Sequence, residues 1–554
     1  MKTKPAAAFL RARWELAALA AVVCAFAAIV FTSSRHSSVT FDESAHVPAG
    51  LSYWRTGDFR LEGFNSPLPR LLLAAPLVLD SRVQLPLGPG WQARDIWPVS
   101  HEFMSANAAN YQELFARARA VVLLAGVVVI ILTFVLARPL GRLPALVAAA
   151  VIAFDPNFIA HSGVATADVM ATAFFLAALL ALRRLARALS LRWALVAGAA
   201  IGLAVLAKFS AVILPALLPV LLLCGGLSGP RTRPARVAGL TAAALFAAWI
   251  VICSFYLWQG VGLKLDARDY GSRTFRLWSR RLAGLPIPLP RPLLAGMDVT
   301  WKLNENPEKN FLLGQTYYGG RPWYFPVAGA VKTPLPELAG LALGLGFFLR
   351  RRRPWREEWF ILLPLAAQAG FVAFASNWNI GIRYLLPAYP FAAAVAAAWL
   401  ADGWGRRHWK KLAAPALAAG TLVSCLAAWP HYLSYFNVAA GGWRNGHRLL
   451  ADSNLDWGQD LLYLRDWQRQ HPGPLCLVYF GNVDPAVYGI SYEVPDTPEQ
   501  CPTLAISVEH LYEFSFPLLV DGRSRRFEPG RFEGLRSRRP DQIVGATIWI
   551  FRQR

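Results

Sequence analysis

The feature that most constrains this chain is a series of strongly apolar runs, each about as long as a bilayer is thick, separated by short turns rich in arginine. A hydrocarbon core of about 30 Å takes roughly 20 apolar residues per helix. Inside it the backbone must satisfy its own polar groups, so helices are the expected element. Read in those units, the sequence holds about eleven candidate spans, near residues 14–32, 118–137, 143–159, 167–183, 193–207, 209–225, 237–258, 330–349, 358–376, 384–401 and 412–430. The expected class is a polytopic α-helical membrane protein. Hydrophobic residues make up 55% of the 554, which fits that class better than a soluble domain.

The basic residues set the expected orientation. Lys2, Lys4, Arg11 and Arg13 precede the first run, Arg138 and Arg142 follow the second, and Arg183, Arg184, Arg187 and Arg192 follow the fourth. Arg231, Arg233 and Arg236 follow the sixth, Arg350 to Arg353 the eighth, and Arg406, Arg407, Lys410 and Lys411 the tenth. Basic turns stay in the cytoplasm, so the N-terminus is expected there and the odd-numbered turns and the C-terminal region outside. The run 193–225 tests the count. As one helix it would invert every later turn, whereas a hairpin at Lys208 keeps them in order and leaves an ionisable group near the outer leaflet. The net charge of +22 therefore reads as topology. Nucleic acid is not an expected partner, because the basic residues form no single stripe or recognisable module.

Two outer loops are long, about 32–117 and 259–329. The first contains an apolar stretch, 71–79, too short to span and expected as a helix lying in the interface. In the second, the aromatics and Arg321 of 317–325 fit either a sugar or headgroup platform or an interfacial belt. From about residue 431 the composition becomes soluble. Extended runs at 475–480, 503–508 and 544–551, with a helix near 459–469, predict a small α/β domain over 431–554 outside the membrane, leaving 1–430 as the membrane domain. Cys476 and Cys501 are the cysteines of that region and can pair if it faces an oxidising compartment.

The polar residues on the expected outer side carry the chemistry. Asp42 and Glu43 are adjacent, with His46 three and four residues on, so in a helix the imidazole can share a face with either carboxylate. The same spacing also describes an ordinary helix start with acids opposing the dipole. Asp155, His161, Asp168, Lys208 and Arg383 fall on the same side. Carboxylates with separate cations suit a transfer in which one group takes a proton and another holds an anionic leaving group. Arg383 and Lys208 suit a phosphate, the first through paired hydrogen bonds and the second as a point charge. The chain has no His-Glu-x-x-His, no phosphate-binding glycine loop and a single Glu-x-x-His at Glu43 to His46, which argues against a metalloprotease, a soluble-nucleotide enzyme and a bundle di-iron protein.

These residues together resemble the dolichyl-phosphate-mannose protein mannosyltransferase family and its bacterial relatives, including the lipid A aminoarabinose transferases, of the C-type glycosyltransferase fold. The matching pieces are Phe41, Asp42, Glu43, His46 and Gly50, the stretch 65–70, Thr166 with Asp168, Lys208, and the Arg383-Tyr384-Leu385-Leu386-Pro387 sequence. The resemblance implies an inverting glycosyltransferase of the cell envelope, in a bacterial inner membrane, that moves a sugar such as mannose from a polyprenyl-phosphate carrier to an extracytoplasmic protein or lipid. On this resemblance Asp42 is the base, Glu43, His46 and Asp168 are its supporting groups, and Lys208 and Arg383 hold the donor phosphate. No metal is required, although a divalent ion near the carboxylates is compatible with it. The C-terminal part departs from the eukaryotic members, whose large insert is missing. In its place Asp452, Asn454, Asp456, Trp457 and Gln459 either read sugar hydroxyls, together with His161, or cap a turn that opens a helix. A lipid-linked-sugar transporter or flippase and a non-catalytic envelope scaffold are the alternative classes.

Overall fold

The computed structural model describes residues 4–226, 234–306, 309–350, 358–401, 409–512, 518–520, 523–525 and 530–553. Of the basic residues used for orientation, Lys2, Arg231, Arg233, Arg351 to Arg353, Arg406 and Arg407 lie outside the described residues.

Helical residues occur in each expected run. Among the described residues, four helices are long and apolar enough to cross a membrane, Trp14–Ser34, Ala108–Leu140, Asp168–Ala188 and Pro234–Phe255, and the bent pair Arg142–Phe154 and Pro156–Ser162 makes a fifth if taken as one span. The others are shorter, and local chemistry says why. The pair bends by 62° where Pro156 removes a backbone donor and the Asp155 side chain accepts instead from the Phe158 N–H at 2.7 Å. The run 193–225 breaks at Lys208, which is extended between the helix Leu191–Ala207 and a short 3-10 turn leading into Ile213–Gly226. The run 330–349 is divided at Thr333 and Pro334 between Tyr324–Lys332 and Leu335–Arg350.

The first long loop, expected outside, folds back on the bundle. Its helix Glu43–Thr56 ends on Gly57 in the left-handed region and packs against Pro67–Ala74. At their crossing a side chain on Gly50 would put its Cβ 2.0 Å from the Arg70 carbonyl oxygen, so only glycine lets the two helices meet. The interfacial helix expected over 71–79 differs. It starts four residues earlier, at Pro67, and buries Arg70, Leu73 and Ala74 against the protein, while Leu79 beyond it is exposed. In the second outer loop, 309–318 forms an antiparallel hairpin of Lys309–Leu312 and Gln315–Tyr318.

The C-terminal region carries a four-stranded sheet. Cys476–Val478 pairs parallel with Thr503–Ser507, which pairs antiparallel with Ile548–Arg552, which pairs antiparallel with Gln542–Val544. Leu477, Val478, Leu504, Ile506, Ile548 and Ile550 are buried in its core. The helix Leu461–Gln470 is tied to the last strand pair through Trp467 Nε1, which donates to Gln542 Oε1 at 2.8 Å. Cys476 and Cys501 form a disulfide. This region does not hang free. The Ser38 and Phe41 amides donate to the Gln459 and Trp457 carbonyls at 2.9 Å, and the Leu461 amide donates to Ser38 Oγ at 3.1 Å. The segment just before Asp42 is thereby laid along the turn at Trp457.

Candidate functional site

Four of the singled-out side chains, from four separate elements, meet as an alternating chain of charge. Asp42, at the start of Glu43–Thr56, accepts through Oδ2 from Arg383 Nη1 at 2.6 Å. The same Nη1 lies 3.9 Å from Asp168 Oδ2, and Asp168 Oδ1 accepts from Lys208 Nζ at 2.6 Å. The side chains of Arg383 and Asp168 are 10% and 7% exposed, those of Asp42 and Lys208 26% and 22%, so the deep pair is flanked by an open rim with one carboxylate and one ammonium. Aromatic faces line the cations: Arg383 lies 4.3 Å over Trp457 and 5.4 Å from the Tyr384 centroid, and Lys208 lies 4.8 Å from Tyr384. His161 packs edge-on to Trp457 at 6.0 Å. Arg383 Nε, His161 Nδ1 and Thr166 Oγ1 are buried without a hydrogen-bond partner. Unpaired buried polar atoms are costly, so Arg383 Nε, within the charge chain, favours a polar occupant.

Glu43 and His46 are not part of this chain. Glu43 is fully buried and accepts from Arg119 Nε and Nη2 at 2.7 Å, from the Ala165 amide at 2.6 Å and from the Thr40 amide at 2.8 Å. Burial alone would raise its pKa, but the Arg119 charge and these hydrogen bonds prevail and hold the carboxyl below its ordinary range. His46 turns to a second buried group, with Nδ1 3.0 Å from Glu62 Oε1 and 3.2 Å from Arg70 Nη2, while Arg70 Nε donates to Glu62 Oε2 at 2.6 Å. Burial opposes ionisation of Glu62, yet Arg70 and His46 bring it down to about 2. The spacing of Asp42 and His46 suggested one face. The structure separates them because Asp42 leaves the helix start toward Arg383 while His46 points at the first outer loop. What these groups do is hold geometry: Glu43 binds the helix start to the turn carrying Thr166 and Asp168.

The stretch from Asp452 divides in two. Asn454, Asp456 and Gln459 are buried and committed to internal bonds. Asn454 Oδ1 accepts from the Ile382 amide at 2.9 Å, Asp456 Oδ1 from the Gly458 amide at 2.9 Å, and Gln459 Oε1 from the Trp457 amide at 2.7 Å. For these three the turn-forming alternative describes what is seen, and they do not face the rim. Asp452 and Trp457 do lie with Arg383. Burial pushes Asp452 up to about 6 although Arg383 pulls it down.

Sequence reasoning assigned no role to Arg119, Glu62 or Ser453, and named Tyr384 only as part of the stretch after Arg383. Arg119 had a signal, an arginine at the edge of a span; Glu62 had none. Among the described residues no three His, Cys, Asp or Glu side chains gather as metal ligands. Asp42 and Asp168 are each held by a cation, so a divalent ion there would have to displace Arg383 or Lys208.

ArnT from Cupriavidus metallidurans bound to undecaprenyl phosphate is similar in structure at TM-score 0.49 and 13% identity, covering 91% of this chain and 96% of that one. The archaeal oligosaccharyltransferase AglB from Archaeoglobus fulgidus, in complex with an inhibitory peptide and a dolichol-phosphate, gives TM-score 0.43 and 15% identity over 90% of this chain and 70% of that one. No curated protein sequence matches the chain. Residues 111–257, the segment that holds Asp168 and Lys208, match the family model described as dolichyl-phosphate-mannose-protein mannosyltransferase, so the resemblance read from the sequence holds there.

Proposed function

We propose that the chain is an inverting membrane glycosyltransferase that takes a sugar from a polyprenyl-phosphate carrier and places it on an extracytoplasmic acceptor, protein or lipid. The observation that carries this reading is the Asp42–Arg383–Asp168–Lys208 chain, with a carboxylate and an ammonium at one open rim and a guanidinium between two carboxylates behind them. In the reaction Asp42 takes the proton of the acceptor hydroxyl as its oxygen attacks the anomeric carbon. The bond from that carbon to the phosphate oxygen breaks, and its electron pair leaves with the lipid phosphate, which Arg383 and Lys208 stabilise. Arg383 Nε, buried and unpartnered, is a donor ready for a phosphate oxygen. Asp168 keeps both cations oriented between turnovers. This reading carries with it about eleven spans within 1–430, a cytoplasmic N-terminus in a bacterial inner membrane, and residues 431–554 as an exterior domain. Mannose is the sugar the family similarity favours.

Removing a general base slows such a step by about a hundredfold to ten-thousandfold. Purified Asp42→Asn should therefore lose transfer from a polyprenyl-phosphate-linked sugar by that order while still binding polyprenyl phosphate. Transfer at the wild-type rate would remove Asp42 from the role of base.

A further inference from the structure

We propose that Ser453 and Asn454 are positioning residues for Arg383, so that the C-terminal region completes the phosphate site of the membrane part. The inference rests on the reading of Arg383 as a donor-phosphate contact. The backbone from 376 to 381, between the helix Trp359–Ala375 and the short helix Ile382–Ala388, runs without regular structure, and its polar groups are met largely by side chains. Ahead of Arg383 these come from the turn at 452. Asn454 Oδ1 accepts from the Ile382 amide at 2.9 Å, and Ser453 Oγ donates to the Ile380 carbonyl at 2.7 Å.

The bracket is stiff. Asn454 is fully buried, and its amide nitrogen donates to the Ala451 carbonyl at 3.0 Å and to Tyr324 Oη at 2.8 Å, so the side chain is fixed at both ends. Asp452, which opens the turn, sits at φ +58, a conformation unusual for a side-chain-bearing residue, and its amide donates to Glu509 Oε1 at 2.8 Å. The loop approaches the turn so closely that a Cβ on Gly381 would lie 2.3 Å from Ser453 Oγ. Trp457 then supplies the ring under the Arg383 guanidinium. One turn thus fixes the backbone beside Arg383 and the plane on which its side chain rests, which is what a long side chain needs to present its donors in one direction.

The test measures binding of polyprenyl phosphate and of the uncharged polyprenol to purified protein in detergent. Asn454→Ala and Gly381→Ala should each weaken polyprenyl phosphate by about tenfold, the worth of one well-placed hydrogen bond to a charged group, and leave polyprenol binding unmoved. Ser453→Ala should weaken polyprenyl phosphate in the same way, because the Ile380 carbonyl loses its donor. Equal losses for phosphate and alcohol, or wild-type phosphate binding in all three variants, would overturn the inference, and Ser453→Ala and Gly381→Ala report even if Asn454→Ala does not fold. Arg383→Ala separates the two levels. If it binds polyprenyl phosphate as the wild type does, the functional reading fails first; if it loses binding while Asn454→Ala does not, only the positioning role falls.

Discussion

At the scale of the residue, the charges of this chain sort by what surrounds them. Glu43 and Arg119 have side chains 0% and 4% exposed and meet through two hydrogen bonds, so neither can be lost without leaving the other uncompensated. Breaking a buried pair by removing one partner costs about 3–5 kcal/mol. Arg119→Met should therefore lower unfolding stability in detergent by that order, and more than Glu43→Gln, which keeps an acceptor for the Ala165 and Thr40 amides. If Arg119→Met unfolds at the wild-type midpoint, the pair is not holding the helix start of Asp42 to the turn of Asp168. Asp42 and Lys208 are themselves partly open, and if either is lost its buried partner, Arg383 or Asp168, keeps the other at 3.9 Å. Their loss should appear in transfer, with little change in unfolding.

At the scale of the element, the turn from Asp452 to Asp460 carries three buried acids, Asp452, Asp456 and Asp460. Burial raises Asp456 to about 7, against the pull of the Gly458 amide and with Asp460 adding to the rise. In the unfolded chain it titrates near 3.9, so between about pH 4 and pH 7 the folded state holds a proton that the unfolded state has lost. Stability from this group therefore falls as pH rises through that window. Asp456→Asn keeps an acceptor for Gly458 and removes the titration, so its unfolding midpoint should gain on the wild type between about pH 4 and pH 7, with a ceiling of about 4 kcal/mol. A difference that stays flat with pH would mean Asp456 is ionised throughout. Glu62, held near 2, behaves oppositely: its contribution is present above its unfolded value and lost as pH falls toward 2. The elements themselves were largely legible in the sequence, since apolar length marks helices and β-rich runs mark 476–478, 503–507 and 548–552, but the breaks at Pro156 and Pro334 fall inside runs read as single spans, 143–159 and 330–349. The site was legible only by residue type. Nothing in local spacing shows that the backbone at 38–41 lies along 457–461, a pairing more than 400 residues apart in sequence, and i to i+4 spacing pointed His46 at Asp42 when its partner is Glu62.

At the scale of the whole molecule, the reading depends on sidedness, because a carrier-linked sugar used outside the cytoplasm must meet Asp42 there. Two independent features agree. The basic turn at Arg183, Arg184, Arg187 and Arg192 lies at the far end of Asp168–Ala188 from the site and by its charge belongs in the cytoplasm. The Cys476–Cys501 disulfide belongs in an oxidising compartment, and its sheet is docked on the segment before Asp42. On the proposed reading the rim and the sheet share one side of the membrane and the arginines lie on the other. A single cysteine introduced as Arg469→Cys, on an exposed face of the Leu461–Gln470 helix, should react with a membrane-impermeant thiol reagent in intact spheroplasts. Arg192→Cys, exposed in the basic turn, should react only after permeabilisation. The reverse pattern would put the Asp42 rim in the cytoplasm and sink the exterior transfer. The same preparation in detergent also separates enzyme from transporter: a new glycosidic bond needs no sealed compartment, whereas movement of a lipid-linked sugar across a bilayer does.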